Sequence, residues 1–66
     1  MELQWEDVEE IAEKLDERFP DIDPLSVRFT DLHRWVCKIP EFKDDAGKVS
    51  EGKLEAIQMA WYEMKK

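Results

Sequence analysis

The sequence predicts a mainly α protein, built as a three-helix orthogonal bundle with little or no sheet. Two observations point there. Apolar residues recur at helical spacing in three separate stretches. Each stretch opens behind a capping residue (Asp7, Thr30 or Ser50), and the first two close before Pro20 and Pro40. With 66 residues there is room for one domain, residues 1–66, around one small core. Three Trp, three Phe and one Tyr give that core a large apolar area per residue.

The first helix carries two opposed stripes. Trp5, Val8, Ile11, Ala12, Leu15 and Phe19 share one side, and Glu6, Glu9, Glu10, Glu13, Asp16 and Glu17 share the other. Asp7 is expected to cap it, with Glu10 in a capping-box position, and Pro20 to stop it. Acids at its start suit the helix dipole, whereas Asp16 and Glu17 near its end do not. Asp21 to Pro24 reads as a turn, with Asp23 capping a short helical segment that Pro24 opens. Arg28 and Phe29 read as extended.

The second helix is expected to start from Thr30 as N-cap, with Leu32, Trp35, Val36 and Ile39 as its apolar stripe. Residues 41–50 form the longest irregular connection, in which Asp44, Asp45 and Gly47 favour turns. This loop stands where a wing would stand, so the bundle is read as winged-helix-like. Ser50 then caps a third helix whose buried stripe is Leu54, Ile57, Trp61 and Met64. Val27 and Phe29 are expected in the core beside these residues. Met59 and Tyr62 fall off the third stripe and are candidates for exposed apolar contact.

Charge is distributed unevenly. Ten of the 17 acidic residues lie between Glu2 and Asp23, opposed there by Lys14 and Arg18 alone. The remainder of the chain is almost neutral, so the first third carries the whole formal charge of −7. Such a field opposes phosphate contacts and rules out nucleic acid as a partner. A solvated helix face would usually explain acids like these. Uniform sign has a cost, however, because Glu6–Glu10, Glu9–Glu13 and Glu13–Glu17 are like pairs at i,i+4, each destabilising by ~0.2–0.5 kcal/mol. Steering toward a basic protein surface justifies that cost better than solubility does.

Other chemistry finds little support. Carboxylates at helical spacing can attract a hard cation only weakly, and Asp21-x-Asp23 fails as a calcium loop because Ser26 and Leu32 occupy the required Gly and Glu positions. His33 and Cys37 share a helix face, but with one His and one Cys in the chain they make half a zinc site. A partly buried role suits them better. There is no glycine-rich phosphate loop, and no enzyme active site is evident. The unpaired Cys37, the absence of a signal-like N-terminus and the lack of a long apolar run lead to the expectation of a cytoplasmic protein away from membranes.

The segment from Phe19 to Cys37, FPDIDPLSVRFTDLHRWVC, resembles the IscX family of iron–sulfur cluster assembly proteins. Leu3, Trp5 and Asp7 before it, and Phe42, Asp44, Asp45, Ser50, Leu54 to Ile57 and Trp61 after it, extend the likeness over essentially the full chain. Ala46-Gly47 stands where the family commonly has Asp-Pro. The resemblance implies a monomeric acidic adaptor with a winged-helix-like helical fold. It implies binding to the cysteine desulfurase IscS, competition there with the bacterial frataxin, and weak ferrous iron binding by surface carboxylates. Asp7, Glu10, Asp21, Asp23 and Asp31 are the candidate iron ligands. The alternative is an iron carrier donating Fe²⁺ to the cluster scaffold.

Overall fold

A computed structural model describes residues 2–65 and shows three helices joined by short turns: α1 (Val8–Arg18), α2 (Phe29–Cys37) and α3 (Glu51–Met64). Single 3₁₀ turns at Pro24–Ser26 and Ala46–Lys48 punctuate the connections. The only β pairing among the described residues is one parallel bridge between Leu3 and Phe42. The mainly α bundle with almost no sheet is therefore the fold.

α1 buries Ile11, Ala12 and Leu15, and α3 buries Leu54, Ile57 and Trp61. These two helices make the main helix pair, and α2 closes the core with Leu32 and Val36. Ile39 is buried just beyond the end of α2. No described polar or charged residue is buried as a whole. Among the described residues one buried side-chain polar atom stands without a hydrogen bond, the indole Nε1 of the fully enclosed Trp61. Trp35 meets that ring edge-on at a centroid distance of 6.5 Å and stacks on Phe19 at 4.4 Å.

Three further core residues, Leu3, Trp5 and Phe42, come from outside the helices. Leu3 N–H donates to the Glu41 carbonyl, and Lys43 N–H donates to the Leu3 carbonyl. Between them these bonds bury Leu3 against Phe42. Trp5 belongs to the turn before α1, not to its stripe. Its ring enters the core edge-on to Phe42, at 4.6 Å between centroids. Its indole N–H donates to the Asp45 carbonyl at 2.8 Å, and its backbone N–H donates to Asp44 Oδ2. The 41–50 connection is thus fastened to the N-terminal segment. Leu3 and Trp5 alternate with the period of an extended strand, and this signal is lost when the segment is read as helix.

Several local expectations change. Asp7 occupies the N-cap position of α1, yet its carboxylate caps nothing there. It accepts instead from the Gln4 N–H, while Asp7 N–H donates to the Gln4 carbonyl; together the two bonds close the turn that carries Trp5. Thr30 is not the cap of α2, because the helix begins at Phe29 behind an extended Arg28. Burial of Val27 and Phe29 against the core sets the entry angle and overrides the cap preference of threonine. Val27, Phe29 and Trp35 are half-buried at the edge of the core, and Met64 is exposed. Asp23 and Ser50 do cap as expected, accepting from the N–H groups of Leu25 and Lys53. Gln58 of α3 donates to the Pro24 carbonyl and holds the first 3₁₀ turn in place.

Candidate acidic docking face

The acidic face forms because the apolar stripe of α1 fixes its rotation. With Ile11, Ala12 and Leu15 turned inward, Glu9, Glu10, Glu13 and Glu17 are left exposed on the outer side. Glu6 is exposed in the turn that precedes the helix. Five of the six residues expected to meet a partner are therefore exposed, four of them together on α1.

Asp16 differs from the others. It is half-buried and pairs with Lys65 Nζ at 3.0 Å, and the same ammonium donates to the Pro20 carbonyl at 2.6 Å. Its place near the end of α1, unfavourable to the helix dipole, is explained by this clamp between α1 and the segment after α3. Lys14 is likewise drawn to one flank, where it pairs with Glu41 at 3.1 Å. That hydrogen bond, with Glu17 and Glu13 nearby, raises the Lys14 ammonium above the ordinary lysine value; the same bond lowers the Glu41 carboxyl. Arg18 turns away to the Lys38 carbonyl. With its basic residues drawn aside, the centre of the face remains acidic.

The candidate iron ligands do not converge. Among the described residues no three of His, Cys, Asp and Glu are gathered closely enough to hold a metal ion. Asp7 is engaged with Gln4 and Asp23 with Leu25. Asp21 and Glu10 are exposed, and Asp31 is half-buried in the first turn of α2. Carboxylates spread in this way can raise the local cation concentration but cannot wrap one ion.

His33 and Cys37 have structural surroundings. His33 stacks on Trp5 at 5.6 Å, and its Nε2 lies 2.6 Å from the Ala46 carbonyl. A carbonyl only accepts, so Nε2 carries the proton. The histidine is one more fastening of the 41–50 connection. Cys37 is half-buried, and burial pushes its thiol pKa up. No helix among the described residues is long and apolar enough to cross a membrane.

Comparison with known proteins adds a family. A family model described as iron-sulphur cluster assembly matches residues 3–66. An uncharacterized protein of Pseudomonas aeruginosa is 56% identical over 63 residues, covering 96% of each chain.

Proposed function

Because the chain belongs to the iron-sulphur cluster assembly family, we propose that it acts there as an adaptor without chemistry of its own. It docks the acidic face of α1 on a basic surface of the cysteine desulfurase IscS and regulates sulfur supply, in competition with the bacterial frataxin. Ferrous iron binds weakly and diffusely over the same third of the chain. The observation that supports this reading is the one-sided charge, with Glu9, Glu10, Glu13 and Glu17 exposed together on a helix whose basic residues are drawn to its flanks.

Exposed charges act mainly on association, and salt screens them. Reversing Glu10, Glu13 and Glu17 to Lys should slow association with immobilised purified IscS by about tenfold or more at low ionic strength. The fold should survive, since none of the three touches the core. Wild-type association should also slow as salt rises, and it should persist in chelator. An unchanged association rate for the triple variant would remove the docking assignment. Binding that requires added Fe²⁺ would favour the iron carrier.

A further inference from the structure

α3 carries apolar side chains outside its buried stripe as well. Its inward side supplies Leu54, Ile57 and Trp61 to the core. Its outward side carries exposed Ala56, half-buried Ala60, and Met59 and Met64 at 42% and 38% exposure. Of these, Ala60 and Met64 line a groove against α1 together with Glu9 and Glu63. Glu9 therefore belongs both to the acidic face and to the groove wall.

We propose that this groove is the apolar anchor of the docking surface and receives an arginine or lysine side chain of the basic partner. The inference rests on the proposed docking of the acidic face. Charge complementarity selects the occupant. Ala60 and Met64 offer apolar surface suited to the methylenes of a long cation, and the exposed carboxylate of Glu9 suits its charged head. Exposed ion pairs alone contribute little affinity, with a median near 0–1 kcal/mol. Desolvated centres carry most of the binding in interfaces, and arginine is among the side chains enriched there. Methionine suits such a surface because it is unbranched and adapts to its occupant. A second copy of this chain is a poor occupant, since each brings a formal charge of −7.

The two contributions separate kinetically. Met64→Ala keeps every charge, and alanine keeps the helix. Its association rate with purified cysteine desulfurase and the salt dependence of that rate should match wild type, while dissociation should quicken by about tenfold. Met64→Leu should restore slow dissociation. A thermal melt by circular dichroism checks that both variants fold. If wild type binds and the alanine variant dissociates at the same rate, the groove assignment falls and the acidic-face reading stands. If wild type does not bind the desulfurase, the docking reading falls and the groove assignment with it. Self-association of wild type in sedimentation that the alanine variant abolishes would overturn the assignment in favour of a second copy.

Discussion

Single residues in this protein often serve a distant segment and not their own helix. Asp44 accepts from the backbone N–H groups of Asp45 and Trp5, and these bonds hold its carboxyl below the ordinary aspartate value. A group whose pKa is lower folded than unfolded stabilises above its unfolded pKa and loses that effect as pH falls through the folded value. In urea titrations, wild type should exceed Asp44→Ala in stability at neutral pH. The difference should narrow below pH about 4, the ordinary aspartate range. A constant difference down to strong acid would deny Asp44 this role. Cys37 gives the complementary case. A raised pKa keeps it as thiol at neutral pH, so alkylation by iodoacetamide should be slower in the folded protein than in urea. Equal rates would place the thiol in solvent.

At the scale of elements, the helices were legible wherever one face decides. The stripes Ile11–Ala12–Leu15, Leu32–Val36 and Leu54–Ile57–Trp61 predict the buried faces, and α1 shows its acids on the opposite side. Helix starts were less legible, because residue type proposes a cap and tertiary packing disposes of it. Ser50 caps α3, whereas Thr30 lies inside α2. Ser50→Ala should accordingly cost ~1 kcal/mol in chemical denaturation, and Thr30→Ala less than about 0.5 kcal/mol. Equal losses would restore Thr30 as a cap. The groove beside α3 was not visible. Helical spacing puts Met64 in the buried stripe, and nothing local says that Ala60 and Met64 face Glu9 of another helix. The exposed acids of α1 could be read because they need only a rotation; a surface shared by two helices needs their packing.

For the molecule as a whole, the core draws on Leu3 and Trp5 before α1, on Phe42 between α2 and α3, and on Trp61 in α3. Trp61→Ala removes a fully enclosed side chain and should cost ~3–5 kcal/mol, enough to unfold most of so small a domain. Trp35 is half-buried at the rim, so Trp35→Ala should cost clearly less and leave a cooperative melt. Reversed order in thermal denaturation would exchange their places. The field of the first third should likewise act as a whole on cations. Paramagnetic broadening by Mn²⁺ should spread over residues 6–23 and persist in Cys37→Ala. Broadening centred on Cys37 and His33 would replace the diffuse carboxylate binding with a soft-ligand site.

The pairing of α1 with α3, more than with its neighbour α2, also sets when this protein can exist during its own synthesis. A nascent chain that has made α1 and α2 holds Ile11 and Leu15 with their main partner still unmade. Nor can Leu3 and Trp5 dock until residues 41–46 have emerged. A core shared in this way by the N-terminal segment and all three helices predicts a single cooperative unfolding transition in place of stepwise loss. Like charge along the first third opposes association of unfolded chains. The acidity of the first third thus belongs to the unfolded chain as much as to the finished fold.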